Sequence, residues 1–264
     1  MQGFYPGGKD KPRGREWKMT EFLHGKTAIV TGASRRIGRA ISTALGEAGA
    51  NVVIHDHQSL QGDCENLCDE MDRFGVKTWI VTADFENPSD TASVIERALK
   101  SAGNLDMLIN CAAIFVGDTL RDADFKNLMR HMQINAWAPL ILSREFARLV
   151  TQGKIINLLD TRISGYDWMH VSYILSKHVL HVLTKMTALE FAPGIAVNGL
   201  APGLILPPQG KDMSYLNELA ETVPLKRHGG PEDIVDAVLF LLKSDFITGQ
   251  IINIDGGRHL MEHA

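Results

Sequence analysis

Short runs rich in β-branched residues alternate with long amphipathic stretches along most of this 264-residue chain. Strands separated by helices of this length form βαβ units and lie parallel in one sheet. Because such crossovers are right-handed, we expect an α/β fold built on a doubly wound parallel sheet of about seven strands, with ligands at the carboxyl ends of the strands. The expected strands are Thr27–Thr31, Val52–His55, Thr78–Thr82, Met107–Asn110, Lys154–Leu158, Ala196–Gly199 and Ile251–Ile254. The expected helices include Ile37–Glu47, Ser89–Ser101, Phe125–Leu149 and Ser172–Glu190.

The composition is that of an ordinary globular chain, and it argues against several classes of partner. A net charge of −4 gives no overall field for nucleic acid or an anionic membrane surface. No apolar run reaches the ~18 residues that a membrane-spanning helix needs. Three cysteines give no disulfide framework, so we expect a reducing, cytoplasmic location. Cys64 and Cys68 lie four residues apart, but no second pair accompanies them, and no metal site is expected.

The N-terminal residues differ in character from the rest of the chain. Residues 1–24 are polar, rich in Gly, Lys and Arg, and lack the apolar core of a secretory signal. We expect a flexible arm there and a single domain over residues 25–264. Between the sixth strand and the last helical region, Leu204–Leu219 contains Pro207, Pro208 and Gly210. Such a break is expected to act as a lid, the alternative being a plain surface connection.

Glycines follow the first expected strand directly, and a helix follows them. Gly32 lets the chain turn sharply, Gly38 lets the helix pack close to the strand, and free N–H groups at the helix start can hold a pyrophosphate. A strand before such a turn and a helix after it are typical of dinucleotide binding. The residues of the turn assigned to the cofactor are Gly32, Ser34, Arg35, Arg36, Ile37 and Gly38.

The middle position of this turn, where glycine is usual, carries Arg36. Its side chain is expected to reach over the phosphates toward the substrate cleft, the alternative being a solvated basic residue. Asp56 ends the second strand, eighteen residues after Gly38, at the spacing that bonds a ribose 2′-hydroxyl and favours NAD. Arg35 can instead pair with a 2′-phosphate. We predict NADP (NADPH), with NAD as the alternative, and the further candidate contacts are His55, His57 and Ser59.

Tyr173 and Lys177 are four residues apart on an expected helix and therefore share one face. A free tyrosine has a pKa of ~10 and exchanges protons poorly at neutral pH. A fixed ammonium nearby favours the phenolate and lowers that pKa, which suits a proton donor in catalysis. The pair is common by chance, and its weight comes from the nucleotide turn upstream.

Together these residues resemble the short-chain dehydrogenase/reductase family over residues 25 to 258. The matching segments are Thr31–Gly38, Asp84, Asn110–Ala113, Asn135, Tyr173–Lys177, Pro202-Gly203 and Ile254–Gly257. The resemblance implies a Rossmann-like fold, oxidoreductase activity and a homotetramer or homodimer formed through Phe125–Leu149 and Ser172–Glu190. It also implies that Lys177 bonds the nicotinamide ribose and that Asn135 holds a water linking Lys177 to solvent. The other cofactor contacts it implies are Asp84 at the adenine, Asn110 and Ala112 beside the cofactor, Pro202, Gly203, and Ile205 at the carboxamide.

One departure from the family pattern narrows the substrate. The family usually has a serine thirteen residues before the tyrosine, and this chain has Asp160 there. An ionised carboxylate only accepts hydrogen bonds and repels a developing oxyanion, so it suits a substrate with N–H donors. Arg36, Asp160 and Phe115 together are similar to the pteridine reductase branch, in which an aromatic ring and the nicotinamide sandwich the pterin. That similarity implies a substrate site of Arg36, Phe115, Asp160, Tyr173 and Leu206.

The expected reaction is NADPH-dependent reduction of a C=N bond in a pterin-type small molecule, with a proton from Tyr173 and Asp160. One alternative is a carbonyl reductase or alcohol dehydrogenase acting on a small or cyclic substrate, in which Thr161 or Ser172 compensates for the missing serine. A remote alternative is a non-catalytic NAD(P) sensor.

Overall fold

Seven strands form one sheet in the computed structural model of the protein, which describes residues 22–208 and 210–261. They are β1 (Thr27–Thr31), β2 (Asn51–Asp56), β3 (Thr78–Thr82), β4 (Met107–Asn110), β5 (Gly153–Leu158), β6 (Ile195–Pro202) and β7 (Ile251–Ile254). Their order across the sheet is β3-β2-β1-β4-β5-β6-β7, and every neighbouring pair is parallel. The predicted doubly wound, Rossmann-like α/β fold is confirmed, and each expected strand is present within a few residues of its predicted ends.

Eight α-helices of the described residues cover the two faces of the sheet. They are α1 (Arg36–Glu47), α2 (Gln61–Met71), α3 (Pro88–Ala102), α4 (Phe125–Met132), α5 (Ala138–Leu149), α6 (Val171–Glu190), α7 (Met213–Ala220) and α8 (Pro231–Lys243). The expected long helix Phe125–Leu149 is divided by one π-helical turn, Gln133–Trp137. None of the helices in this part of the chain is long and apolar enough to cross a membrane.

Two expected boundaries differ from the structure. The break at Leu204–Leu219 contains α7, which forms because Leu216, 1% exposed, packs on Leu204 and Val223. Most of the expected N-terminal arm lies outside the described residues. Leu23, assigned to that arm, is buried and donates its N–H to Ala48 O at 3.0 Å, so the folded region starts by residue 22 rather than at residue 25.

The sheet divides the core into two layers because successive side chains of a strand point to opposite faces. Ala28 and Val30 of β1 pack with α1, α2 and α8, whereas Ile29 packs with α3 and α5. The chain runs outward from β1 to β3 and then crosses to β4. The loops after β1 and β4 therefore diverge, which leaves a crevice at their carboxyl ends.

His55, which the sequence analysis assigned to the cofactor, lies inside the protein. Its side chain is 2% exposed and stacks on Phe85 with the ring centroids 4.4 Å apart. Neither ring nitrogen has a hydrogen-bond partner among the described residues. Because β2 is covered on both faces, His55 points with Val53 into the layer beneath α3. The predicted cofactor contact through this side chain is wrong.

Because the His55 imidazole is buried, the free energy of unfolding is expected to depend on pH. Burial, partly opposed by Asp56, lowers the pKa of His55 from 6.5 to about 4. Between these values the unfolded chain binds more protons than the folded chain, so stability falls as the pH falls. We expect this group to cost about 2–3 kcal/mol of unfolding free energy between pH 7 and pH 4.5. Urea unfolding at both pH values should show the loss in the wild type and in the exposed control His24→Phe, but not in His55→Phe. An equal acid loss in His55→Phe would contradict this account.

Candidate active site

A cleft of about 380 Å³ opens at the carboxyl ends of the central strands, beside the switch point between β1 and β4. This is the position where doubly wound sheets bind ligands. The predicted site residues that line the cleft are Gly32, Arg35, Arg36, Ile37, Gly38, Asp56, Ala112, Phe115, Asp160, Tyr173, Lys177, Pro202, Gly203, Ile205 and Leu206. The fold thus brings the nucleotide turn, the tyrosine pair and the proposed substrate residues into one cavity.

The glycines of the turn hold it against its neighbours. Gly32 has φ +63°, and a Cβ there would lie 2.9 Å from the Ala112 Cα. A Cβ on Gly38 would lie 1.9 Å from the Gly32 carbonyl oxygen. Both positions therefore exclude a side chain, and the start of α1 stays close to the end of β1.

Arg36 adopts the left-handed backbone conformation that glycine usually supplies, with φ +52°. For a non-glycine residue this conformation costs roughly 1 kcal/mol. Its guanidinium donates from Nη2 to the Pro207 carbonyl oxygen at 2.8 Å. The side chain thus spans the cleft from the turn to the loop after β6, in agreement with the predicted reach and not with simple solvation.

Asp56 joins the turn to the end of β2. The Ser34 N–H and hydroxyl donate to its Oδ2 at 3.2 and 2.5 Å, and the His57 N–H donates to its Oδ1 at 2.9 Å. Arg35 lies at the rim with 58% of its side chain exposed and pairs with Asp63 of α2. The carboxylate therefore already has three protein donors, whereas the guanidinium at the rim faces solvent.

The phenol of Tyr173 donates to Asp160 Oδ2 at 2.9 Å, and both side chains line the cleft. Asp160 follows β5 and caps a short 3₁₀ turn, Thr161–Ser164, by accepting the Arg162 N–H on Oδ1 at 2.8 Å. Tyr173 lies in the first turn of α6 and is 6% exposed. The end of β5 and the start of α6 therefore hold the carboxylate and the phenol within hydrogen-bonding distance of each other.

The electrostatics of Tyr173 differ from the sequence-based expectation. Burial and the neighbouring Asp160 carboxylate raise the pKa of the phenol well above its ordinary value. The expected lowering by Lys177 is wrong for this arrangement, because burial and the Asp160 carboxylate, which accepts the hydroxyl at 2.9 Å, dominate the shift. The phenol stays protonated at neutral pH, which is the state required of a proton donor.

Lys177 lies one turn after Tyr173 and is 3% exposed. Its Nζ donates to the Leu158 carbonyl oxygen at 2.6 Å and lies 5.7 Å from the centre of the Tyr173 ring. Burial lowers the pKa of this ammonium to about 8, although Asp160 opposes the shift. At neutral pH this buried amine therefore still carries its positive charge beside the phenol ring.

Phe115 forms a flat wall of the cleft beside the phenol. Its ring stacks on His170 with the centroids 4.1 Å apart and meets the Tyr173 ring edge-on at 4.7 Å. It remains 39% exposed. An aromatic surface next to a proton donor and a carboxylate is suited to a planar substrate with polar ring atoms.

The short-chain dehydrogenase model described as Enoyl-(Acyl carrier protein) reductase matches residues 32–259, which include the glycine turn, Asp160, Tyr173 and Lys177. The chain belongs to the short-chain dehydrogenase/reductase family. Membership explains why a nucleotide turn and a Tyr-x-x-x-Lys helix meet in one cleft, and it makes the chain an oxidoreductase.

Proteins similar to this short-chain dehydrogenase/reductase are named for different activities. It is 31% identical over 252 residues to 3-oxoacyl-[acyl-carrier-protein] reductase FabG of Staphylococcus epidermidis, covering 89% of this chain and 99% of the relative. FolM alternative dihydrofolate reductase 1 from Brucella canis, solved in complex with NADP, matches with a TM-score of 0.83 and 30% identity, covering 89% and 95% of the two chains. A blue fluorescent protein from a metagenomic library, in complex with NADPH, matches with a TM-score of 0.82 and 30% identity, covering 89% and 98%.

Three of the residues assigned to the site lie behind the cleft of this short-chain dehydrogenase/reductase instead of lining it. Ser34 is 1% exposed and is bonded to Asp56. Asn110 bonds Asn157 of β5 at 2.8 Å and so ties two strands together at their ends. Asn135, in the π-helical turn, accepts the Ile114 N–H at 2.9 Å and donates to the Ile114 carbonyl oxygen at 3.0 Å. These side chains support the walls of the cleft.

Three further assigned residues lie on the surface outside the cleft. His57 Nδ1 is 2.8 Å from the Ser59 hydroxyl, and both residues are exposed just after β2. Asp84, after β3, accepts the Glu86 N–H at 2.9 Å. Their predicted contacts to the adenosine part of a cofactor stay predictions.

The cleft also contains residues that sequence reasoning did not assign to the site. They are Leu60, Cys111, Ala113, Leu158, Leu159, Arg162, Leu204, Pro208, Tyr215, Leu216 and Arg258. Tyr215 and Leu216 were missed because their helix was taken for a loop. Arg162 could have been found, because a basic residue two positions after Asp160 lies on the same short turn.

The turn fits the pyrophosphate of a dinucleotide by shape and by charge. Side chains at Gly32 or Gly38 would fill the space between the turn and its neighbours, and none is present. The first turn of α1 carries no acidic residue, and its Arg36, Ile37 and Gly38 line the cleft, so the positive end of the helix lies at the cleft. Arg35, Arg36 and Lys177 add cations along the same cleft.

Proposed function

We propose that this short-chain dehydrogenase/reductase uses NADPH to reduce a C=N bond of a pterin-type substrate, a dihydropterin or dihydrofolate. The observation that carries the proposal is the 2.9 Å hydrogen bond from the Tyr173 hydroxyl to the Asp160 carboxylate inside the cleft. A protonated donor beside a carboxylate suits a ring nitrogen that gains a proton next to ring N–H groups. A pterin offers both kinds of nitrogen on one planar ring.

A carboxylate in this position is poorly suited to a ketone. Ketone reduction builds negative charge on oxygen, and an ionised carboxylate repels that charge. Thr161 donates to Asp255 at 2.5 Å, and Ser172 donates to Asp118, so both hydroxyls that were considered as replacements for the missing serine are engaged elsewhere. Both residues are also buried. The carbonyl reductase hypothesis requires one of these hydroxyls to replace the missing serine, and their positions do not support that replacement.

The residues of the cleft divide the proton chemistry between them. When bound, the nicotinamide supplies a hydride from its C4 to the ring carbon of the C=N bond. Tyr173 gives its proton to the adjacent nitrogen, directly or through water, and the sum of one hydride and one proton converts C=N to CH–NH. Asp160 accepts a hydrogen bond from the substrate and holds the phenol in place. Lys177 stabilises the phenolate until solvent returns a proton to it.

The position of Phe115 and the relatives support the same substrate class. Phe115 lines the cleft and is 39% exposed, and aromatic contacts to a planar substrate add about 1 kcal/mol beyond burial. The Brucella canis relative, which is 30% identical, is named an alternative dihydrofolate reductase. Its complex with NADP also supports NADPH as the cofactor of this chain.

The rim of the cleft makes the cofactor choice testable. Arg35 is the exposed cation next to the position expected for the ribose, and Asp56 is held by Ser34 and His57. We expect Arg35→Gln to weaken NADPH binding about tenfold, by loss of a charge-assisted contact to the 2′-phosphate, and NADH binding less than about twofold. Quenching of protein fluorescence gives both dissociation constants. Equal weakening of the two cofactors, or tighter binding of NADH by the wild type, would argue for NAD.

A second candidate is a carbonyl reductase. It is favoured by the 31% identity to FabG of Staphylococcus epidermidis over 89% of this chain. The deciding experiment measures NADPH oxidation by the purified protein with 7,8-dihydrobiopterin, dihydrofolate and a panel of linear and cyclic ketones. The pterin proposal expects a kcat/KM for one of the dihydropterins that exceeds every ketone. Turnover of ketones alone would replace it with the second candidate.

We also propose that the protein forms a homodimer or homotetramer through α4, α5 and α6. Large apolar side chains on these helices remain in contact with solvent in the isolated chain. They include Phe125, Val182, Met186 and Leu189, and Trp137 of the π-helical turn between α4 and α5 is exposed as well. Exposed apolar side chains of this size favour protein–protein contacts.

A further inference from the structure

Asp160 is held on two sides by the same residue, Arg162. The backbone N–H of Arg162 donates to Asp160 Oδ1 at 2.8 Å, and its guanidinium Nη1 donates to Asp160 Oδ2 at 3.4 Å. Oδ2 is also the oxygen that accepts the Tyr173 hydroxyl. The backbone contact belongs to the 3₁₀ turn and survives any substitution at position 162. A change of the side chain therefore removes only the charge and its contacts.

The guanidinium is anchored on its far side by a second carboxylate. Arg162 Nε lies 2.6 Å from Asp167 Oδ2 in an ion pair, although its N–H is not aligned for a directional hydrogen bond. Asp167 in turn accepts the Met169 N–H at 2.8 Å and lies 2.9 Å from His170 Nδ1. Only 17% of the Arg162 side chain is exposed. The guanidinium is thus fixed between two carboxylates instead of moving in solvent.

Arg162 and its neighbours also contact Phe115, the aromatic wall of the cleft. The Arg162 Cζ lies 5.4 Å from the centre of the Phe115 ring, His170 stacks on that ring, and Tyr173 meets its edge. One cation therefore touches the acceptor of the phenolic proton, the second carboxylate and the aromatic surface. Asp160 and Asp167 together raise the pKa of Arg162 against the effect of its burial, so the charge is permanent.

We propose that Arg162 is the positioning residue of this site, and that its guanidinium holds the Asp160 carboxylate directed at the Tyr173 hydroxyl. Without that charge, two carboxylates would share one partly buried pocket with no cation between them, and Asp160 would turn away from the phenol. Arg162 acts through Asp160 and makes no contribution of its own to proton transfer. The inference rests on the proposed use of Asp160, and it holds for a pterin or any other substrate reduced here.

The test is a double-mutant cycle of Arg162→Met and Asp160→Asn, with kcat and KM measured for 7,8-dihydrobiopterin. Methionine keeps the apolar stem of the side chain and removes the charge. We expect Arg162→Met to lower kcat about 30-fold in the wild type and by less than about threefold in Asp160→Asn, because the two residues act as one unit. Arg162→Lys restores a charge and is expected to recover most of the loss. The matched control is Arg148→Met, an exposed arginine paired with Glu145 on α5, which should leave kcat unchanged.

Readouts other than turnover separate the possible outcomes. The NADPH dissociation constant of every folded variant should stay close to that of the wild type. If Arg162→Met does not fold, the same cycle with Arg162→Gln, which also removes the charge, decides the question. An equal factor lost with and without Asp160, or a change confined to KM, overturns the proposal. A wild type that reduces no dihydropterin refutes the proposed substrate instead, and the cycle is then run with the ketone that it reduces best.

Discussion

Replacing Tyr173 with phenylalanine is expected to lower kcat by about 10³-fold with the best dihydropterin substrate, since a positioned general acid contributes ~10²–10⁴-fold. The change removes one oxygen, which is both the proton donor and the partner of Asp160 at 2.9 Å. NADPH affinity should change less than about twofold, because we expect the glycine turn and Lys177, and not the phenol, to hold the cofactor. Stopped-flow measurement of a single turnover, with a separate fluorescence titration of NADPH, gives both values.

The control for this variant is Tyr166→Phe. It is the same chemical change at a tyrosine that is 83% exposed and outside the cleft, and it should leave both values unchanged. A Tyr173→Phe protein that keeps its turnover would exclude Tyr173 as the proton donor. If the wild type itself binds NADPH but reduces no substrate, the remaining alternative of a nucleotide sensor is supported.

Replacing Asp160 with serine is expected to reverse the substrate preference. Serine restores the residue usual in the family and offers a hydroxyl donor to a carbonyl oxygen. The same change removes the acceptor for substrate N–H groups and the carboxylate that raises the pKa of Tyr173. We expect kcat/KM for dihydropterin to fall about 10²-fold and the ratio of ketone to dihydropterin activity to rise by at least that factor.

The measurement is the same substrate panel run on the wild type, Asp160→Ser and the control Asp236→Asn, an exposed carboxylate on α8. Asp236→Asn should keep the wild-type ratio. If Asp160→Ser kept the dihydropterin activity of the wild type, the carboxylate would have no part in substrate selection. The choice of a nitrogen heterocycle would then lose its basis.

The sheet was predictable because its signal is local. Buried parallel strands are short apolar runs, and each of the seven is recognisable without knowledge of its partners. The turn at Gly32 and Gly38 was predictable for a similar reason, since close approach of the backbone leaves glycine as the only residue that fits. The pairing of Asp160 with Tyr173 followed from family resemblance, and the structure gives it a distance of 2.9 Å.

The orientation of individual side chains, and the partners that the fold brings to them, could not be predicted from the sequence. His55 and Asp56 are neighbours, but alternation along β2 sends one into the core and the other to the cleft. The high pKa of Tyr173 results from burial and from the Asp160 carboxylate, and the i, i+4 spacing to Lys177 reveals neither of them. The two-residue spacing places Arg162 beside Asp160, but it does not reveal that Asp167 comes to the other side of the guanidinium.

The most direct test of the central claim follows the fate of the hydride. Purified protein is incubated with NADPH carrying deuterium at both C4 positions and with 7,8-dihydrobiopterin, and the pterin product is analysed by mass spectrometry. The account predicts a tetrahydropterin with one deuterium on a ring carbon, formed by the wild type and suppressed in Tyr173→Phe. Absence of the tetrahydropterin, or a product without deuterium while NADPH is consumed, would contradict it.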